Sequence, residues 1–180
     1  MTRCRLPLSL LLSACAVTGK VPASPAGVVP ESITVTSKSF SSGGAIPIEL
    51  TCDGSGASPD VTWSSPPEAT KALVVTFDDL EAPSGHLTHW VVLNVRPEAR
   101  VLRAGADVSA VGGVLGRNDG GEIAYAGPCP PRHRGHHYAL RVIALDKALK
   151  LPEGAGRETV DAAMEGHVLG WGELIGTVFR

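Results

Sequence analysis

The chain has few aromatic residues: three Trp, two Tyr and three Phe among 180 residues. A core of stacked rings is thereby excluded, and Val, Ile and Leu must fill the interior. Net charge is also small, 16 basic against 18 acidic residues, so bulk electrostatics do not favour nucleic acid. The four cysteines include no Cys-x-x-Cys pair, and no His-Glu-x-x-His motif is present, so the common zinc spacings are missing. Neither an internal repeat nor a second domain is visible. The apolar run Leu6–Leu12 is too short to span a bilayer.

Glycine and proline are abundant, at 21 and 14 residues. That is high for a helical protein and natural for an all-β one with many turns. The length suits one domain with a buried core and some chain left for targeting.

The N-terminus reads as targeting, not fold. Arg3 and Arg5 precede the apolar run, and Leu12-Ser13-Ala14-Cys15 matches a lipobox. Residues 1–14 are expected to be a lipoprotein signal peptide, with Cys15 lipidated. Residues 15–31, rich in Pro, Ala, Gly and Val, read as a flexible tether, and 32–180 as the domain. The expected location is the bacterial cell envelope, lipid-anchored and facing the periplasm, the alternative being a secreted or periplasmic soluble form. Cys52 and Cys129 then remain in the domain, either as a disulfide or as two buried thiols.

Short β-rich runs bounded by Gly, Pro and Asp fill the domain. Strands are expected at Ile33–Thr36, Ile46–Thr51, Val61–Trp63, Ala72–Phe77, Trp90–Val95, Tyr138–Leu145 and Trp171–Phe179. Arg141 is the exception in its apolar run. Glu158–Glu165 carries Val160, Ala163 and Met164 at helical spacing and ends at Gly166. Gly105–Gly121 reads as a surface loop. The fold class is all-β with minor α: a two-sheet antiparallel β-sandwich with a short helix in its C-terminal part.

Two blocks carry the candidate chemistry. Asp79 closes an apolar strand and His89 opens the next, so a carboxylate can orient an imidazole and leave its other nitrogen for an anion. In Gly127-Pro128-Cys129-Pro130-Pro131 only Gly127 and Cys129 have a backbone N–H. A proline-stiffened loop with isolated donors suits an oxyanion. His136 and Tyr138, two apart on a strand, share a face.

These residues resemble the phosphatidylethanolamine-binding protein family, and more closely its bacterial Raf-kinase-inhibitor-like branch. The matching pieces include Thr51-Cys52-Asp53-Gly54, Asp79-Leu80-Glu81-Ala82-Pro83-Ser84-Gly85, His89-Trp90-Val91-Val92-Leu93-Asn94, Gly127-Pro128-Cys129-Pro130-Pro131 and Gly135-His136-His137-Tyr138. They run in family order across nearly the whole domain. The resemblance implies a β-sandwich with an anion pocket at one end, lined by Asp79, His89, Gly127, Cys129, Pro130, His136 and Tyr138. It also implies a cis Ala82–Pro83 bond, phosphate or a phosphorylated head group as ligand, no cofactor, and a homodimer as in bacterial relatives. Three positions depart from the family pattern. Asp79-Leu80-Glu81 replaces Asp-Pro-Asp, Leu87 stands where many animal relatives have Trp, and Gly120 replaces an aromatic.

The expected function is a non-catalytic binding protein for a small anion, with a membrane attachment and no nucleic acid. The alternative is a protein-interaction regulator in the envelope. Lower-ranked alternatives are a hydrolase using Ser84 and His89 with Asp79, and a metal site among His86, His89, His133, His136 and His137.

Overall fold

The structure, a computed structural model, describes residues 29–83 and 85–180. The signal peptide, Cys15 and nearly all of the expected tether lie outside the described residues, as does Ser84. Among the described residues no helix is long and apolar enough to cross a membrane.

Among the described residues eight strands form two antiparallel sheets. The larger sheet holds β3 (Ala72–Asp79), β4 (Leu87–Val95), β6 (Val114–Leu115), β7 (Gly135–Leu145) and β8 (Val168–Phe179), in the order β6-β4-β3-β7-β8. The smaller holds β1 (Val35–Thr36), β2 (Val61–Trp63) and β5 (Val101–Leu102), in the order β1-β2-β5. Leu73, Val75 and Phe77 of β3 meet Ile33, Val35, Val61, Trp63 and Leu102 in the core between the sheets. Each such aliphatic side chain, once fully buried, contributes roughly 1.5–3 kcal/mol.

β3 is buried at all eight positions because its second face is covered too. Val74 packs with Val91, Leu93 and Ile143 against Leu149, Val160 and Met164. Val160 and Met164 come from the helix α1 (Arg157–Met164), which Gly166 follows with φ +75°. A strand hidden on both faces loses the alternation of a half-exposed one.

Every second residue of β8 from Gly170 to Val178 is buried. Three of these are glycines, and the N-terminal segment lies directly on them. A Cβ at Gly172 would sit 1.7 Å from the Ile33 carbonyl oxygen, and one at Gly176 would sit 2.7 Å from Phe40 and Ile46. Gly43 N donates to Ile175 O and Ile46 N to Thr177 O. These bonds cover an edge that would otherwise pair with another chain.

Two expectations about elements are corrected. Ile46–Thr51 is not a strand: Ile48–Leu50 form a 3-10 turn after Pro47, closed by Leu50 N to Pro47 O and Thr51 N to Ile48 O. Its apolar alternation matched both periods over so short a run. Gly105–Gly121 is more than a surface loop, since it holds a 3-10 turn at Val108–Val111 and the edge strand β6, paired with β4 through Val92 and Leu93.

Candidate functional site

The site lies where β3 ends and β4 and β7 begin. Asp79 pairs across the sheet with Leu87 on one side and Tyr138 on the other. Its carboxylate shares the inter-sheet face with Tyr138 and His136, two residues apart on β7. His136 Nδ1 donates to Asp79 Oδ2 at 2.8 Å and lies 3.1 Å from Oδ1. Glu81 N also donates to Asp79 Oδ1 at 2.9 Å. Both partners are buried, Asp79 at 4% and His136 at 8% exposure. Asp79 therefore fixes His136, not His89 as its place in sequence suggested. The bond to Nδ1 leaves His136 Nε2 uncommitted.

His89 reaches the same face by a different device. Phe77 pairs with Trp90 and Asp78 with Thr88, so His89 is the extra residue of a β-bulge. The bulge turns its ring onto the Phe77 and Tyr138 rings, at centroid distances of 6.3 and 5.5 Å. His89 Nδ1 lies 2.9 Å from Ala126 O. A carbonyl only accepts, so Nδ1 carries the proton and Nε2 holds a lone pair. Desolvation pushes the ring pKa below its ordinary value, against the opposing pull of the Ala126 carbonyl and of Asp79, Asp78 and Asp119. The ring is neutral at pH 7.

Among the described residues the buried side-chain atoms without a hydrogen bond within range are Trp63 Nε1, His89 Nε2 and Tyr138 Oη, the last of them next to the Asp79 carboxylate. Burial, with Asp79 next in importance, also pushes the Tyr138 phenol far up, so it stays a donor. An orphaned buried polar group costs on the order of 1–3 kcal/mol. Two such atoms lie on touching rings beside the Asp79 carboxylate.

The proline-rich loop attaches to this corner at two points. Ala126 N donates to His89 O, the backbone counterpart of the side-chain bond. Cys52 N donates to Pro128 O, and Cys52 and Cys129 are joined by a disulfide with Cα atoms 5.4 Å apart. A Cβ on Gly127 would lie 2.6 Å from the Thr51 carbonyl carbon, so only glycine permits this approach. Pro128 and Pro130 are buried and Cys129 is exposed. No hydrogen bond among the described residues engages the Gly127 or Cys129 N–H. The Ala82–Pro83 bond is trans, since the described residues contain no cis peptide.

Tyr125 was not singled out from the sequence. Its ring stacks on Phe77 at 6.0 Å and meets Trp90 edge-on at 5.9 Å, while its hydroxyl donates to Leu50 O at 2.8 Å. It braces the wall behind His89, and in so aromatic-poor a chain a lone Tyr before the proline loop was the available signal. Among the described residues three of the histidines have separate partners. His137 pairs with Glu81 at the surface, His167 with Asp146, and His89 with Ala126. Asp79, Glu81 and His136 offer ligand atoms within 4.8 Å of one another, with Asp79 hydrogen-bonded to His136 and the Glu81 carboxylate to His137.

The fold is a two-sheet β-sandwich that brings imidazole, phenol and carboxylate side chains together at one end. Residues 36–179 match the family model for phosphatidylethanolamine-binding protein, and the chain belongs to that family. It is 43% identical over 150 residues to a UPF0098 protein of Aquifex aeolicus, covering 81% of this chain and 88% of that one. It is 36% identical over 148 residues to LppC of Mycobacterium tuberculosis, which is named a lipoprotein, covering 82% and 72%. Among solved structures it is similar to CT736, a phosphatidylethanolamine-binding-protein homologue of Chlamydia trachomatis. That match has a TM-score of 0.77 and 36% identity over 83% of this chain and 99% of that one. YbcL of Escherichia coli, a member of the mammalian PEBP family, superposes with a TM-score of 0.76 at 28% identity over 82% and 98%.

Proposed function

We propose that the domain is a non-catalytic receptor for a monoanionic phosphoryl group, free phosphate or a phosphorylated head group, held in the bacterial envelope by a lipid on Cys15. The carrying observation is the pair of buried, unpartnered atoms His89 Nε2 and Tyr138 Oη beside the Asp79–His136 pair. Tyr138 Oη donates to one phosphoryl oxygen. His89 Nε2 accepts from a P–O–H, or equivalently takes that proton and donates it back. The Gly127 and Cys129 amides supply further donors, and His136, its Nδ1–H spent on Asp79, presents Nε2 as a second acceptor. Asp79 disfavours a second negative charge, which selects the monoanion. The name of the M. tuberculosis relative supports the lipid anchor.

The pH sign follows from proton count. The complex holds one proton more than neutral His89 plus a dianion, so affinity falls as pH rises. For a phosphate monoester with second pKa ≈ 6 the loss is roughly tenfold per pH unit above that value. Titration calorimetry with phosphoethanolamine and with inorganic phosphate tests this. The expected result is that His89→Gln, whose amide donates at every pH, flattens the profile. Absence of binding by the native protein at pH 6 would contradict the reading.

A further inference from the structure

The reverse face of the strands that hold the site carries a second polar cluster, which the anion seat does not use. Asp78 precedes Asp79 on β3 and faces the other way, at 1% exposure. Its carboxylate accepts from Thr76 Oγ1 at 3.1 Å, Thr88 Oγ1 at 3.0 Å, one NH1 of Arg157 at 2.5 Å and one NH1 of Arg141 at 3.4 Å. Arg157, the first residue of α1, also donates from Nε to Asp161 Oδ1 at 2.8 Å. Arg141 Nε donates to Glu173 Oε2 at 3.0 Å.

The cluster is threaded through the site by chain adjacency. Asp78 is bonded to Asp79, and Thr88 to His89. The Asp78–Thr88 side-chain bond closes the two strands beneath the bulge that aims His89, and Asp119 holds Thr88 N at 2.7 Å. Arg157 pins this junction from the helix side. The groups acting on His89 are Asp79 and Asp78 from β3 and Asp119 from the loop after β6, with the Tyr138 ring of β7 against it. Asp78 pulls a proton toward the ring from behind the sheet, and the Arg157 guanidinium is the cation nearest to that carboxylate.

We propose that the Asp78–Arg157 ion pair positions Asp79 and His89 and sets the charge the site offers an anion, so that both are specificity-determining residues of a site that neither contacts. The proposal rests on reading the site as an anion seat. Buried pairs of this kind add little net stability, so a role in presenting the site explains the cluster better than a role in holding the fold.

The test follows the His89 ring proton by NMR through a pH titration, in the full domain with its disulfide intact. Arg157→Gln leaves Asp78 with only the more distant Arg141 guanidinium and should raise the ring's midpoint by up to about one pH unit, the size expected for a unit charge across a sheet at an effective dielectric near 20. Asp78→Asn leaves the arginines in excess and should lower it by about as much. Arg157→Lys and the double variant Asp78→Asn/Arg157→Gln keep the balance and should titrate within a few tenths of a unit of the native protein. Affinity for inorganic sulfate, which does not itself titrate in this range, should turn over at the same pH as the ring in each variant.

General loosening would admit water and raise the midpoint in every variant. A rise in Asp78→Asn, an unchanged midpoint in both single variants, or equal shifts for Arg157→Lys and Arg157→Gln would overturn the proposal. Should Asp78→Asn fail to fold, the Gln–Lys contrast at position 157 decides alone. Opposite midpoint shifts without sulfate or phosphate binding would show the coupling to be real and overturn the anion reading instead.

Discussion

In the proposed function the Tyr138 hydroxyl is a ligand contact, and its oxygen does little for the fold. Its hydroxyl is buried without a partner, so Tyr138→Phe should leave the unliganded protein as stable as before, or more so by up to about 1 kcal/mol. The same change should weaken phosphate binding about tenfold, the worth of one hydrogen bond to a charged group. Urea unfolding and calorimetry on one sample read the two effects, and their opposite signs separate a ligand contact from a structural one. Most of the site's members are legible as residue types at the ends of apolar runs. Their partners are not. Asp79 and His89 stand at adjoining strand ends, yet Asp79 bonds His136, because sheet register sets β7 beside it and the bulge spends His89 Nδ1 on Ala126. Asp78 and Arg157 escaped notice for a related reason, and Arg141 stood out only as the exception in its apolar run. A charged residue within or beside an apolar run shows no partner until the sheet and helix bring the charges together.

At the scale of elements, β8 is the strand whose sequence is most constrained by its neighbours. Gly172→Ala would force a methyl into the Ile33 carbonyl, so the N-terminal segment must lift. The expected loss is about 1–3 kcal/mol, read by urea unfolding, with faster proteolysis N-terminal to Phe40. The Cys52–Cys129 bond closes a loop of 77 residues. Replacing both cysteines by serine should cost about 4 kcal/mol in the chain-entropy model, measured the same way, and should slacken the proline loop beside His89. The long strands are readable because their apolar runs exceed what a turn accommodates, and α1 because Val160, Ala163 and Met164 repeat at its period. The two-residue β6 and the 3-10 turn after Pro47 are below the length at which periodicity distinguishes anything. Their form is set by what they pack against.

For the whole molecule, the direction of the chain relative to the site matters most. The described chain begins at Val29, whose carbonyl accepts from Trp171 Nε1 at 3.1 Å, and Glu31 bridges to Trp171. His136 pairs with Val178, seven residues further along β8, which is about 23 Å at the rise of a strand. The described chain therefore enters the sandwich far from the His136 end of β8. Cys15→Ser should move the protein from the membrane to the soluble fraction in cell fractionation and leave phosphate affinity within twofold. A drop in affinity on losing the lipid would mean that the membrane helps to form the site. The opening 14 residues and the lipobox were legible only as targeting, because an apolar run too short to span has no structural reading of its own.

The central claim is that the guest is held as a proton-bearing monoanion between neutral His89 and Tyr138. Proton uptake on binding measures it most directly, by titrating phosphoethanolamine into the protein at pH 7.5 in two buffers of different ionisation enthalpy. The account predicts close to one proton taken up per ligand bound, since at that pH both the ring and the monoester lack the proton the complex needs. Saturable binding with no proton uptake would contradict it.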